Sequence, residues 1–141
     1  MKYWLFKSEP DSWSWQQQKA KGSAGQQWDG VRNYQARNNM RAMEVGDLGF
    51  FYHSNQGLDV VGIVEVSALV HHDTTTDDPR WECVDIRAVK DVPNPVTLND
   101  VKANPKLADM VLVNNSRLSV QPVSAAEWKE VCRMGGVEPA P

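Results

Sequence analysis

Apolar and polar positions along the chain change period several times, and each change marks an element. Tyr3 to Lys7 alternates weakly, as a half-buried strand does, and Ser8-Glu9-Pro10-Asp11 ends it because Pro10 has no N–H for a ladder. Ser14-Trp15-Gln16-Gln17 has the spacing of a reciprocal N-terminal cap and predicts a polar helix from about Ser12 to Lys21, stopped by Gly22. Gly22 to Gly25 reads as a loop. Asn33 is placed to cap a second helix, from Tyr34 to about Glu44. On it Ala36, Met40 and Met43 form an apolar stripe, while Arg37 and Arg41 stand together at i, i+4.

Leu48–His53 and Val60–Val70 predict two strands joined by the turn residues Ser54-Asn55-Gln56-Gly57. Leu48, Phe50 and Tyr52 share one face of the first; Gly49, Phe51 and His53 share the other. Val60-Val61-Gly62-Ile63-Val64 is apolar on both faces, as a central strand is. The polar run from His71 to Pro79 predicts a loop, Arg80–Val89 a third strand, and Pro93 with Pro95 a break. Thr97, with Asp100 three residues on, predicts the cap of a short helix over Leu98–Ala103. Arg117–Val123 reads as a late strand that Pro122 confines to an edge or an end. Ser124 to Glu127 caps a closing helix through Arg133, and Gly135 halts it. With no repeat or low-complexity tract, residues 1–141 predict one α+β domain: a curved, mainly antiparallel sheet of five or six strands flanked by short helices.

Composition narrows the function. No apolar run approaches the roughly 20 residues of a membrane span, and the start lacks the pattern of a signal peptide, so a cytoplasmic protein with no membrane partner is expected. Cys83 and Cys132 are 49 positions apart without a CxxC, which argues against a disulfide framework or a zinc knuckle. The net charge of −3 excludes nucleic-acid binding driven by bulk charge. Charge is uneven, however. Residues 1–55 hold seven Lys/Arg against five acids, and residues 56–141 hold eight against thirteen. An anion-facing surface therefore draws on the first half, where Arg32, Arg37 and Arg41 are densest. Six tryptophans are many for this length; at least three serve a core, and one or two are available to wall a pocket for a flat ligand.

Catalytic signatures are weak. His53 precedes Ser54, but neighbours on a strand face opposite ways, and no G-x-S-x-G elbow is present. His71-His72-Asp73 lacks a third ligand at a metal-site spacing, and no cofactor-binding loop is present, so neither a metal nor a cofactor is expected. Binding is better supported. Lys7-Ser8-Glu9 ends one strand and His53-Ser54-Asn55 another, while Trp28 to Tyr34 gathers two aromatics, Arg32 and Asn33 around Gly30. Clustered, these ends make a recess with an aromatic wall and polar groups, suited to one extruded base stacked at about 1–3 kcal/mol. Arg37 and Arg41 would then hold flanking phosphates. A small-molecule enzyme or sensor using His53 in the same recess is the alternative, and a protein-interaction module a third.

Tyr3-Trp4-Leu5 with Lys7-Ser8-Glu9-Pro10 resembles the opening of the EVE-domain family, and Trp28 to Asn38 its most distinctive segment. Gly46-Asp47 with Phe51 to Asn55, and Arg117 to Val123, are similar to two further blocks, so the resemblance spans residues 3–123. It implies a PUA-like fold, a small curved β-barrel with helices, related in architecture to YTH readers of methylated RNA. It also implies a non-catalytic domain whose partner is DNA or RNA, some members flipping a modified cytosine into an aromatic pocket. Carried over, it assigns Lys7, Ser8, Trp28, Arg32, Asn33, His53, Ser54, Asn55 and Ser119 to pocket or rim; Trp13 and Trp81, which no motif places, are weaker wall candidates.

Overall fold

Alternation along β1 (Tyr3–Ser8) divides its side chains between two separate cores: Leu5 is buried on one face of the sheet, Trp4 and Phe6 on the other. The computed structural model describes residues 1–141. In it β3 (Leu48–His53) repeats the division, with Leu48, Phe50 and Tyr52 facing the first core and Phe51 the second. β1 and β3 run parallel, Tyr3 opposite Leu48 through Ser8 opposite His53, so their like faces match. Every other pairing is antiparallel: β2 (Gln26–Gln27) with β5 (Glu82–Thr97), β5 with β4 (Asp59–His72), β4 with β3, and β1 with β6 (Val120–Val123). The order is β2-β5-β4-β3-β1-β6. The α+β class and the mainly antiparallel six-stranded sheet are as expected; the ladder is an open one, ending at β2 and β6, where a barrel was anticipated.

Helices cover both faces. α1 (Trp15–Ala20) and α2 (Tyr34–Arg41) supply Trp15, Ala36 and Met40 to the second core. α3 (Leu98–Ala103), α4 (Val111–Asn114) and α5 (Ala125–Met134) supply Val101, Leu112, Trp128, Val131 and Cys132 to the first. The four caps read from the sequence form: Ser14, Thr97 and Ser124 close capping boxes, and Asn33 accepts the Ala36 N–H at 2.9 Å. Both cysteines are buried and free. No helix is long and apolar enough to cross a membrane.

Three expectations are corrected. β5 does not stop before Pro93 and Pro95. The register with β4 jumps from Gly62 opposite Asp91 to Val60 opposite Val96, and both prolines sit in that bulge, where no ladder N–H is needed. His71 and His72 extend β4, opposite Cys83 and Glu82, instead of opening a loop. The second helix ends at Arg41 rather than Glu44, because Met43 N–H already turns back to Met40.

Gly62 explains how α1 reaches the sheet. Its Hα face lies under the Trp15 indole; a Cβ there would meet the ring at 2.2–2.4 Å. Phe51 lies opposite Gly62 on β3, 5.2 Å from the Trp15 ring, and Asp91, opposite on β5, accepts the indole N–H at 2.7 Å. The ring is thus fixed on three sides. Gly62→Ala is expected to cost about 1–3 kcal/mol in denaturant unfolding, as overpacking does. An unchanged midpoint would show that α1 lifts freely.

Candidate functional site

β1 ends beside three polar segments, and between them opens a recess of about 490 Å³. One wall comes from Lys7 to Glu9 with Ser12 and Trp13, the other from Gln26 to Arg32, and Ser119 closes a corner. Local bonds hold the first wall: Ser8 Oγ donates to the Trp13 carbonyl, and Trp13 Nε1 donates to Gln18 Oε1 at 2.9 Å. Gln18 is fully buried and donates in turn to the Ile86 carbonyl, so Trp13 is tied to β5.

The second wall depends on a residue far away in sequence. Asp73, 1% exposed, accepts from Gly30 N at 2.9 Å, Arg32 Nη1 at 3.0 Å, and both the backbone N–H and hydroxyl of Thr75. Burial pushes its carboxyl up, but the hydrogen bonds from Thr75, Gly30 and Arg32 outweigh that and hold it at about 2. Gly30 has φ +78°, a backbone conformation that suits glycine, and it turns the segment toward Asp73. Trp28 stands at the back, 7% exposed, edge-on to Phe6 at 5.5 Å and Phe51 at 5.7 Å. Trp4, Trp15 and Trp128, the other buried tryptophans, donate their indole N–H to Asp47, Asp91 and the Pro141 carbonyl. That of Trp28 has no partner in the protein, although it lines the recess.

An EVE-domain family model matches residues 2–134. The chain belongs to the EVE-domain family. Mouse thymocyte nuclear protein 1 is 34% identical, over 98% of this chain and 75% of its own. Among solved structures, protein Atu2648 from Agrobacterium tumefaciens superposes with a TM-score of 0.96 at 68% identity, covering 99% of this chain and 97% of that one. The human THYN1 protein, solved in complex with 5-methylcytosine-containing DNA, superposes at 0.90 with 32% identity, covering 99% and 100%.

In this EVE domain the residues expected at the site divide into two sets. Lys7, Ser8, Trp28, Arg32 and Ser119 line the recess, as does Trp13. The Lys7 ammonium, though, donates to the Ser116 carbonyl and lies 5.9 Å from the Tyr52 ring, and burial lowers its pKa. Asn33, His53, Ser54, Asn55, Arg37 and Arg41 lie outside the lining. Asn33 caps α2. His53 Nε2 accepts the Trp15 backbone N–H at 3.1 Å, serving as an outside cap of α1, and burial lowers its pKa. Ser54 donates its N–H to the Ser8 carbonyl at 2.8 Å, and Asn55, at φ +65°, forms the hairpin turn. Arg41 is paired with Glu82. Ser12, Gln26 and Gln27 were missed; two adjacent glutamines carry no periodic signal, and only pairing with Ile86 and Asp85 makes them a strand. Asp73 carries no sequence signal beyond the weak His71-His72-Asp73 grouping.

Proposed function

We propose that the recess of this EVE domain holds one modified base extruded from DNA or RNA, with Trp13 and Trp28 as its apolar walls. The unpartnered Trp28 N–H carries this reading. The donor is open to solvent in the recess rather than sealed in the core, and a donor left open on an aromatic wall suits a flat ligand bearing acceptors. The carboxylates of Glu9 and Asp29, on the lining, suit the exocyclic amine of a cytosine or adenine. A recess of about 490 Å³ takes a base and not a duplex edge, so the base must leave its stack. The THYN1 complex with 5-methylcytosine DNA supports a modified cytosine as the first ligand to try. With a net charge of −3, selectivity rests on the base more than on the backbone. His53, engaged at α1 and absent from the lining, does not reach the recess in which the enzyme alternative would use it.

The test compares matched DNA and RNA oligonucleotides with and without 5-methylcytosine. Trp28→Phe keeps an apolar plate and removes only the N–H; it is expected to weaken binding of the modified oligonucleotide about 3- to 10-fold, the worth of one hydrogen bond. Trp13→Ala is expected to lose about 5- to 100-fold, the worth of one stacked ring. Circular dichroism confirms folding of each variant. Folded variants that both retain full binding would overturn the assignment.

A further inference from the structure

Outside the recess, two aromatic side chains belong to neither core. Tyr34, the first residue of α2 and 50% exposed, stacks on Trp81 with centroids 5.1 Å apart and planes 28° from parallel. Two arginines flank the pair: Arg37 lies 4.9 Å from the Tyr34 ring and Arg32 5.6 Å from the Trp81 ring. Because Arg32 also lines the recess, this column of rings and guanidinium groups starts at its mouth and runs outward to Arg37.

Arg37 differs from its neighbours in what it touches. Of the seven arginines, Arg32, Arg41, Arg80, Arg87 and Arg133 each pair with a carboxylate. Arg37 pairs with none, yet it is held: Nε and Nη2 donate to Asn38 Oδ1 at 3.3 and 2.9 Å, and Nη1 donates to the Arg80 carbonyl at 3.1 Å. All of its partners are neutral, so its full charge remains, and two of the five N–H donors of a guanidinium stay unused. The two donors left, one on each of Nη1 and Nη2, together with the undiminished charge, are available to an anion's oxygens. Arg117, the other arginine without a carboxylate, makes none of these contacts.

We propose that Arg37, seated on Tyr34 and held by Asn38 and the Arg80 carbonyl, anchors a phosphodiester next to the nucleotide whose base enters the recess. The inference rests on the base-reading function in that it takes the ligand to be a nucleic acid. It goes further in placing the strand, which leaves the recess past Arg32 and Trp81 toward α2. Arg41, one turn along α2, takes no part because Glu82 already neutralises it.

The experiment titrates the whole chain with matched short DNA and RNA oligonucleotides, each with and without 5-methylcytosine, at about 50 and 200 mM salt. Arg37→Gln is expected to weaken binding of the modified and unmodified probes equally, about three- to tenfold, and to reduce the salt slope by about one, leaving the preference for the modified probe unchanged. Arg37→Lys restores the slope but not the full affinity, since an ammonium keeps the charge and loses the fork. Arg133→Gln, at a paired arginine on α5, serves as the comparison and leaves the slope as it was. An unaltered slope in Arg37→Gln, or a change confined to the modified probe, overturns the anchor. A wild-type chain that binds modified and unmodified probes equally overturns base reading while the Arg37-dependent slope still stands. Binding to none of the probes overturns both.

Discussion

Replacing Asp73 with alanine is expected to lower the unfolding free energy by about 2–4 kcal/mol and to abolish selective binding together with it. The carboxylate is buried and accepts four hydrogen bonds, two of them from the Gly30 and Arg32 groups that shape one wall of the recess. Its removal leaves the Gly30 N–H without an acceptor and frees the 28–32 segment from the loop after β4. The cost stays below that of a fully buried ion pair because the Arg32 side chain is 39% exposed and can turn to water. Asp73→Asn is the sharper probe. It keeps the shape, but its amide nitrogen faces donors instead of accepting from them, so it retains the fold and loses loop order, read as faster amide exchange at Gly30.

The same carboxylate sets an acid limb. Its pKa lies near 2 in the folded chain and near 3.9 in the unfolded one, so the unfolded state binds the proton first as pH falls. Its stabilisation is complete above about pH 5 and is lost between there and about pH 2, on the order of 2 kcal/mol. Denaturant midpoints from pH 6 down to pH 3 should therefore fall more steeply in the wild type than in Asp73→Asn. Parallel curves would mean that the carboxylate does not hold the loop.

Trp128→Ala is expected to cost about 3–5 kcal/mol, the largest single loss from the first core. The ring is fully buried and sandwiched between Tyr3, with centroids 4.6 Å apart, and Phe50, at 4.0 Å, both within 20° of parallel. It joins α5 to β1 and β3, the one parallel pair of the sheet, and its indole N–H reaches the Pro141 carbonyl at 3.1 Å. Equilibrium unfolding measures the loss. Because this core lies across the sheet from the recess, selectivity per folded molecule should survive at low temperature. A loss under 1 kcal/mol would show that the surrounding side chains close the cavity.

Local chemistry was legible wherever a few consecutive residues decide the outcome. Each cap needs only a side-chain acceptor and a backbone N–H two or three residues on, so Ser14, Asn33, Thr97 and Ser124 could be read directly. The facing of β3 followed from alternation along Leu48–His53, and the aromatic segment around Trp28 does line the recess. Pro93 and Pro95 misled because a break and a bulge look alike until a partner strand shows where no N–H is required. His53 and Asn55 misled for a related reason. Polar residues at a strand end suit both a binding rim and a turn, and the arrival of α1 decided the matter for His53.

The sequence by itself determined the α+β class, most elements, the helix caps and the family, because these depend on neighbours along the chain or on the type of residue at a position. Only the tertiary structure decided which arginines stay unneutralised, which buried indole lacks an acceptor in the protein, and that Asp73 holds the wall 41 residues before it at Arg32. The physical reason is the same in each case. A charge or a hydrogen-bonding group is defined by what lies within about 3–4 Å of it. Across a folded sheet those neighbours come from segments whose separation along the chain leaves no periodic trace.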